Sequence, residues 1–520
     1  MTDLILVPSP YQQALYDFIK DGEGSAIVEA VAGSGKTTTI IEALKFIPPH
    51  ETVQLFAFNT AIAAELKARI PSAMRNVRAA TFHSVGYRAL CRHLGMKAIE
   101  TNSRKLYQLC RELPDPKKKW LPRVPKEYES FACKLVGLAK GDGLGAVCEN
   151  DPLFWQDLID HHGIDYDGDG DPETALRLAR QLFARSVEAA EEYMIDFDDQ
   201  LYLPILWKIP LEQTDWVFVD EAQDTNPIRR ALASRVLKPG GRMICVGDRK
   251  QSIYGFTGAS IDAMDQLKEA WNCTELPLSV CYRCPTTVIE QAQTLVPYIE
   301  AAPGAPKGRV EHLQPSEGVK QLTAADAVLC RNNAPLVELA YWCLARGIAC
   351  QILGRDIGKG LQALVEKLKP AHIDDLITRL DVYRTREMKK YHDKEQHGKA
   401  QSVADRVDCL TTLIDNLPED ERTLPGLGEA LNRLFGDDVT GRLTLSTVHK
   451  AKGKQWPQVA ILRPELMPSF WAVLDWEQVQ EENVQYVAWT RAQQALIFLD
   501  GYGSEYAPSS IDRPLFKPHN

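Results

Sequence analysis

The chain lacks the features that would place it in a membrane, in an oxidising compartment, or wrapped along a nucleic acid over its whole surface. No run of about 18 apolar residues occurs, so no segment is expected to span a bilayer as a helix. The first ten residues, MTDLILVPSP, have neither the basic start nor the apolar core of a secretion signal. The expectation is a soluble, intracellular protein. Twelve cysteines are present, but they are scattered singly apart from Cys281 and Cys284. Neither a disulfide framework nor paired zinc knuckles follow from that spacing. The lone C-x-x-C has no companion pair and reads as packing rather than as metal ligands. A basic excess is also missing: 60 Lys and Arg face 70 Asp and Glu, a net charge of −10. Any contact with a polyanion must therefore use a local groove. No internal repeat is visible.

What is present suits a large α/β protein. The 520 residues are 45% hydrophobic and 25% charged, ordinary globular values in a chain long enough for two to four domains. Ser25–Glu29 is a short apolar run entering a glycine-rich turn, and Thr37–Leu44 reads as the helix that follows. Val53–Phe58, Trp216–Val219 and Met243–Val246 look like parallel strands buried on both faces. A second set, Ala327–Leu329, Leu443–Ser446, Val459–Leu462 and Ala495–Leu499, predicts another doubly wound core. Two stretches without strand alternation, 89–199 and 363–436, read as helical insertions. The expected organisation is one core from 1–88 and 200–267 and a second from 268–362 and 437–520. The insertions carry basic runs: Lys117, Lys118, Lys119 and Trp120 in the first, and Arg384, Arg386, Lys389, Lys390, Lys394 and Lys399 in the second. Solvated helix faces are the simpler reading of these, and phosphate contact is the alternative.

Two motifs carry chemistry. Ala30-Val-Ala-Gly-Ser-Gly-Lys-Thr37 fits a P-loop with Ala30 in place of the first glycine. In that spacing the N–H groups of Gly33, Ser34 and Gly35 can wrap a phosphate while the next helix points its positive end at it. Lys36 then reaches the β and γ oxygens, and the Thr37 hydroxyl is offered to Mg²⁺. Asp220-Glu-Ala-Gln-Asp224 follows the apolar strand directly. Asp220 can hold Mg²⁺ through water, and Glu221 can orient and deprotonate an attacking water. Adjacent carboxylates are often only a surface pair. After a buried strand, in a chain with a P-loop, they mark a hydrolytic site, which disfavours a mere nucleotide-binding switch.

From these residues on, the chain resembles the superfamily 1A helicases of the UvrD/Rep/PcrA family. Among them it looks most like F-box DNA helicases and phage-encoded members. Gln12, in Ser-Pro-Tyr-Gln, is similar to the family's adenine-reading glutamine. Phe56-Ala-Phe-Asn59 and Thr81-Phe-His-Ser84 resemble its strand-contacting segments. Val246-Gly-Asp-Arg-Lys-Gln-Ser-Ile-Tyr-Gly-Phe256 resembles motif III, with Gln251 sensing the γ-phosphate and Phe256 stacking on a base. Tyr282-Arg283 resembles motif IV, Tyr282 against adenine and Arg283 on the γ-phosphate. Thr447-Val-His-Lys-Ala-Lys-Gly453 and Tyr486-Val-Ala-Trp-Thr-Arg-Ala492 resemble motifs V and VI, with Arg491 as a second arginine finger.

The resemblance implies two RecA-like domains with ATP between them and closure driven by the γ-phosphate. Lys36, Asp220, Glu221, Gln251, Arg283 and Arg491 would be the catalytic residues. Nucleotide contacts would come from Gln12, Gly33, Ser34, Gly35, Lys36, Thr37, Thr38, Tyr282 and Gln455, and Mg²⁺ contacts from Thr37 and Asp220. Phe58, Asn59, Thr81, His83, Tyr254, Phe256, Thr447 and His449 would touch DNA. The implied activity is ATP-dependent 3′ to 5′ movement on single-stranded DNA and unwinding of tailed duplex, in replication, repair or recombination. Single-strand-binding and recombination proteins are its candidate partners. The protein is expected to be monomeric when free, in the cytoplasm of a bacterial cell or phage-infected host and associated with the nucleoid.

Some positions depart from the family. Gln455 replaces an acidic residue that contacts the ribose, and a neutral amide can still bond a hydroxyl. Thr257 stands where an arginine usually holds DNA. The second insertion is short, and the 29 residues after Arg491 leave no room for a nuclease domain. Asp165-Tyr-Asp-Gly-Asp-Gly-Asp171 matches the first half of an EF-hand loop, but the twelfth position is Leu176, so a solvated acidic loop is expected. A translocating ATPase that strips proteins from DNA and unwinds little is the nearest competing reading. A nucleic-acid-binding subunit with a gating ATPase is disfavoured, because every hydrolytic residue is present.

Overall fold

Parallel strands need both faces covered, and the strand sequences here are accordingly near-continuous apolar runs. The computed structural model describes residues 7–113, 126–162, 166, 171–253, 262–393, 397–436, 440–472 and 475–500. Lys117, Lys118, Lys119, Trp120, Tyr254, Phe256, Thr257 and Lys394 lie outside the described residues, as does most of the Asp165–Asp171 loop. Chain contacts define two units, Met1–Ala30 with Gly35–Leu278, and Val31–Ser34 with Ser279–Asn520.

The first unit opens with α1 (Pro10–Asp21), started by a capping box in which Ser9 and Gln12 bond each other's backbone, with Pro10 in the first turn. β1 (Ala26–Ala30) enters the glycine turn and α2 (Lys36–Ala43) leaves it. There follow β2 (Val53–Ala57), α3 (Thr60–Arg69), β3 (Val77–Thr81) and α4 (Phe82–His93). A helical stretch comes next, made of α5 (Lys105–Glu112), α6 (Lys126–Asp142), α7 (Pro152–His161), α8 (Pro172–Glu191) and α9 (Asp199–Leu206). The chain then returns through β4 (Thr214–Asp220), α10 (Pro227–Val236), β5 (Leu237–Gly247), α11 (Ala263–Ala270) and β6 (Thr274–Leu278). The strands form one parallel sheet in the order β3-β2-β4-β5-β1-β6.

The first unit therefore ends at Leu278 and not at the expected 267. β6 pairs with β1 along its whole length. Its sequence, Thr-Glu-Leu-Pro-Leu, hides it because Pro277 cannot donate to a ladder, and an edge position tolerates that loss.

The second unit contains β7 (Val280–Cys281), α12 (Thr286–Ala292), β8 (Glu300–Ala301), β9 (Arg309–Leu313), α13 (Pro315–Gly318), β10 (Ala327–Cys330), α14 (Ala334–Leu344) and β11 (Cys350–Leu353). Helices α15 (Arg355–Leu368), α16 (Ile373–His392), α17 (His397–Asp415) and α18 (Leu424–Leu434) follow. The unit closes with β12 (Phe435–Gly436), β13 (Leu443–Thr447), α19 (Val448–Ala451), β14 (Trp456–Leu462), α20 (Asp475–Trp489) and β15 (Ala492–Leu499). Seven strands form a second parallel sheet, β12-β11-β13-β10-β14-β15-β9. The helical run starts at Arg355, ahead of the expected 363. Phe435 and Gly436, expected in the insertion, pair with β11 instead.

Several smaller expectations are decided locally. All twelve cysteines are free thiols, and all but Cys148 are buried. The Asp171 carboxylate accepts the Thr174 N–H at 3.0 Å as the cap of α8, and Leu176 lies inside that helix. Among the described basic residues of the second insertion, Arg384 pairs with Asp408, and Arg386 and Lys390 pair with Glu387. No described helix is long and apolar enough to cross a membrane.

The first helical stretch is built around charge as well as apolar packing. Lys105 Nζ lies 2.6 Å from Asp199 Oδ2, and Lys140 Nζ lies 2.6 Å from Asp196 Oδ2 and 2.7 Å from Asp199 Oδ1. The side chains of Lys105, Lys140 and Asp199 have no solvent exposure. Such a network holds only while complete, because removing one partner leaves a buried charge without compensation. Lys140→Met is accordingly expected to destabilise the protein by about 3–5 kcal/mol in urea unfolding. A loss below about 1 kcal/mol would show that the network is not integral to the fold.

Candidate nucleotide site and nucleic-acid interface

Gly33 and Gly35 hold φ angles of +70° and +78°, a left-handed conformation that side chains disfavour. The backbone can thus turn from β1 directly into α2, leaving N–H groups free at a helix start, an arrangement that seats anions. Ser34 is buried, and its Oγ has no hydrogen-bond partner among the described residues. A phosphate oxygen would satisfy it. Thr37 lies half-buried in the first turn of α2. Thr38 is engaged elsewhere, its hydroxyl accepting from Arg69 Nη2 at 2.7 Å. Gln12 is buried, donating from Nε2 to Thr39 Oγ1 at 2.9 Å while its Oε1 caps α1. It ties α1 to α2.

The acidic motif meets the P-loop lysine. Asp220 ends β4, and burial, followed by the neighbouring Glu221 charge, pushes its pKa up to about 7 against the pull of Lys36. Glu221 sits at φ +52°, backbone strain of the kind that collects at functional sites. Its Oε2 accepts from Lys36 Nζ at 2.8 Å and from Gln223 Nε2 at 2.6 Å. Burial of the Lys36 ammonium favours its neutral form, but the Glu221, Asp220 and Asp248 carboxylates outweigh that and hold its pKa above the ordinary lysine value.

Two members of this cluster have no assigned role in the sequence reading. Asp248, just after β5, is fully buried and accepts from Gln251 Nε2 at 2.6 Å. Burial raises its pKa, with the Lys36 charge opposing. Gln223 joins the halves, accepting the Asp248 N–H at 3.0 Å while donating to Glu221. A Cβ at Gly247 would lie 2.6 Å from Gln223 Oε1, so glycine there lets Gln223 close. The result is a continuous chain, Lys36–Glu221–Gln223–Asp248–Gln251, across the carboxyl ends of neighbouring strands, where open α/β sheets bind ligands. Both missed residues sit inside quoted motifs, but only the fold reveals their bonds.

The first unit also presents aromatic surface. Phe58 is half-buried with the Arg229 guanidinium 4.9 Å from its ring centre. The His83 ring stacks on Phe197 at 3.8 Å and 20°, and Phe197 is 56% exposed. An exposed aromatic of this kind is a platform for a base. Sequence reasoning missed Phe197 and Arg229, because nothing in Met-Ile-Asp-Phe-Asp-Asp announces that the phenylalanine faces outward. Asn59 caps α3, accepting the Ile62 N–H at 2.9 Å, and remains exposed. Thr81 is buried and caps α4, accepting the Ser84 N–H at 3.2 Å. That capping bond, not an outward hydroxyl, is what the fold gives Thr81.

In the second unit Tyr282 has an exposed ring, and its N–H bonds the Gly33 carbonyl at 2.9 Å. Ala32, in the same unit, donates its N–H to the Tyr486 hydroxyl at 2.9 Å. Arg283 donates from Nε to Gln455 Oε1 at 2.7 Å and from Nη1 to the Thr490 carbonyl at 3.0 Å. Arg491 is only 1% exposed, bonding the Val487 carbonyl at 2.9 Å and the Thr490 hydroxyl at 3.2 Å. Thr447 is buried at the start of α19. Burial, and then the Arg331 and Lys452 charges, lower the His449 pKa to about 3. Cys281 and Cys284 are buried, with the Cys284 N–H on Cys281 Sγ at 3.4 Å.

With this geometry in view, the family is decided by sequence models. That of the UvrD/REP helicase N-terminal domain matches residues 12–121 and 179–272, and that of the UvrD-like helicase C-terminal domain matches 378–500. The chain belongs to the UvrD/Rep helicase family. Its two parallel α/β sheets are the RecA-like cores of that family. Curated relatives include F-box DNA helicase protein 1 of Schizosaccharomyces pombe, 25% identical over 92% of this chain and 56% of its own length. DNA helicase II of Escherichia coli is 25% identical over 52% of this chain and 38% of its own. A probable DNA helicase of Mycoplasma pneumoniae is 22% identical over 95% of this chain and 85% of its own. The chain thus spans about half or less of the first two relatives.

In this UvrD/Rep family chain the His83 ring is neutral at ordinary pH. Burial, and then the Arg229 charge, lower its pKa from 6.5 to about 4. A lowered histidine pKa means that protonation opposes folding, so this contribution to stability is present above pH 6.5 and lost as pH falls through about 4. The His83 ring resonance should therefore not titrate between about pH 7.5 and 5.5, and Arg229→Met should move its midpoint upward. A midpoint near 6.5 in the unmodified protein would contradict the buried, stacked placement.

Proposed function

We propose that the chain is an ATP-driven motor that moves 3′ to 5′ along single-stranded DNA and opens tailed duplex. The observation that carries this reading is the bonded chain from Lys36 through Glu221, Gln223 and Asp248 to Gln251. It links a phosphate-seeking lysine to a general base and to a γ-phosphate sensor within one unit. The buried Ser34 hydroxyl and the oxygen donors Thr37 and Asp220 suit a triphosphate with Mg²⁺, and those two residues would hold the ion. Bound Mg²⁺ would neutralise phosphate charge.

Glu221 is occupied by Lys36, so the arriving phosphates would draw the lysine away and free the carboxylate. Glu221 could then take the proton of an attacking water while the Gln223 amide keeps it aimed. Gln251 reads the γ-phosphate by exchanging its bond to Asp248, which carries the change back through Gln223. Arg283, tethered by Gln455, and Arg491 are the candidates for stabilising the developing phosphoryl charge. Tyr282 and Gln12 would meet the base and Gln455 the ribose.

DNA contact is assigned to Phe58, Asn59, His83 and the exposed Phe197, with Thr81, Thr447 and His449 lending support from buried positions. Stacking of this kind is indifferent to sequence, as a translocating motor requires. The 3′ to 5′ direction rests on the likeness of Gln251-Ser-Ile-Tyr254 to the UvrD/Rep/PcrA branch. Single-stranded and tailed duplex DNA are the substrates, in replication, repair or recombination.

Lys36→Ala and Glu221→Gln should each lower single-strand-stimulated ATP turnover by about 10²–10³-fold while leaving single-strand binding in place. Retained hydrolysis in either variant would overturn the site assignment. On short duplexes the unmodified protein should unwind a 3′-tailed substrate in preference to a 5′-tailed one. Failure on both despite stimulated hydrolysis would leave a protein-displacing translocase, and preference for the 5′ tail would reverse the direction.

A further inference from the structure

The nucleotide chain and the exposed aromatics occupy the carboxyl ends of the strands of the first sheet. At the opposite, amino-terminal ends of β2 and β4 lies a cavity of about 370 Å³, lined in part by Val53 and Thr214. Val53 and Ala57 are the two ends of the five-residue β2, four steps and roughly 13 Å apart at about 3.3 Å per residue. Helix α4 also links the two sides, with His83 near its start and Arg88 and Arg92 further along. The cavity is thus separate from the proposed nucleotide and strand sites.

Its charge is unlike that of the rest of the molecule. Arg75, Arg78, Arg88, Arg92 and Lys97 line it against a single acid, Glu212, in a chain of net charge −10. Glu212 is taken by Arg78. Among the described residues the Arg88 side chain bonds only the Ser84 carbonyl, at 3.1 Å. Arg75, Arg92 and Lys97 make no side-chain hydrogen bond or ion pair among the described residues. Cations gathered without counter-charges repel one another, and an incoming anion relieves that.

The lining also carries the apolar side chains of Val85, Cys91, Met96 and Leu211, of which Cys91 is buried. The walls are braced: the Tyr87 hydroxyl accepts the Ile99 N–H at 2.8 Å and donates to the Ile99 carbonyl at 2.9 Å, and Asn76 Nδ2 bonds the Glu51 carbonyl at 2.8 Å. A cavity of this volume falls in the range of small binding pockets. Nucleic acid fits it less well, because phosphates need no apolar lining and Tyr87 alone among the lining side chains offers a ring for stacking. A peptide with carboxylates around one apolar side chain matches both the rim and the floor.

We propose that this cavity docks an acidic peptide segment of a partner protein, its apolar side chain in the recess and its carboxylates on Arg75, Arg88, Arg92 and Lys97. Because the cavity lies away from the strand-facing edge, docking and DNA binding occur together. The proposal does not depend on the direction of movement or on duplex opening.

The test is fluorescence anisotropy on the full chain with a labelled nonapeptide of aspartates around a central phenylalanine. Binding is expected with a Kd at or below about 100 μM. It should weaken about tenfold or more in Arg75→Glu/Arg92→Glu and in Lys97→Glu, with ATP turnover on single strands unchanged. Peptides with Asp→Asn throughout, or with Phe→Ser, should each bind about tenfold more weakly, because charge and recess both contribute. No binding at about 100 μM, or binding indifferent to these substitutions, would overturn the proposal. So would binding of a short blunt duplex that the same variants abolish while the peptide stays unbound, an outcome that would make the cavity a nucleic-acid surface.

Discussion

An ammonium buried among carboxylates is the constraint on which the first unit turns. Lys36 enters α2 from a left-handed glycine, and its charge is tolerated there because Glu221, Asp220 and Asp248 surround it. The same lysine is what keeps those acids together. Burial drives the Asp220 and Asp248 pKa values upward, and Lys36 is the cation that opposes it in both. A site balanced in this way is primed for exchange: a triphosphate brings negative charge that competes for the lysine, and the carboxylates must then find a new partner. Bonds through Gln223 and Asp248 connect Glu221 to Gln251.

The sheet exists to hold these groups. β1, β4 and β5 end beside one another, so Gly33 to Lys36, Asp220 and Asp248 come from segments far apart in sequence yet converge at one edge. The strained φ of Glu221 and the glycine at 247 are local consequences, one turning a carboxylate towards the lysine and the other making room for Gln223. A comparable logic governs the first helical stretch. There Lys105 and Lys140 bind Asp196 and Asp199 in the interior and so hold the turn on which Phe197 is exposed. Buried charge pairs thus shape both the Lys36 cluster and the segment that carries Phe197.

Much of this was legible in the chain before folding. The P-loop announces itself because phosphate binding needs glycines and a lysine at fixed spacing. The main strands do so because burial on both faces leaves little but apolar residues. Strands that break that pattern were invisible. β6 carries Pro277 and two polar residues at a sheet edge, and β12 is two residues long, so the expected boundaries at 267, 363 and 436 moved. Asp171, at the end of the EF-hand-like stretch, has a part that its sequence does not announce. Aspartates that resemble ligands in sequence also serve as helix caps, and Asp171 caps α8.

What the sequence determined by itself was the set of motifs: a P-loop pattern ending in Lys36 and Thr37, a carboxylate pair at Asp220 and Glu221 after an apolar strand, and likeness to the UvrD/Rep helicase family. These depend on residue type and short-range spacing. Only tertiary structure decided how the groups are wired. Gln223 and Asp248 emerged as the link between Glu221 and Gln251, Arg491 as a buried side chain, Thr81 as a cap, and Phe197 as an exposed ring. Each depends on which side chains meet across strands and helices far apart in the chain, and burial and hydrogen bonding between such segments leave no periodic trace in the sequence.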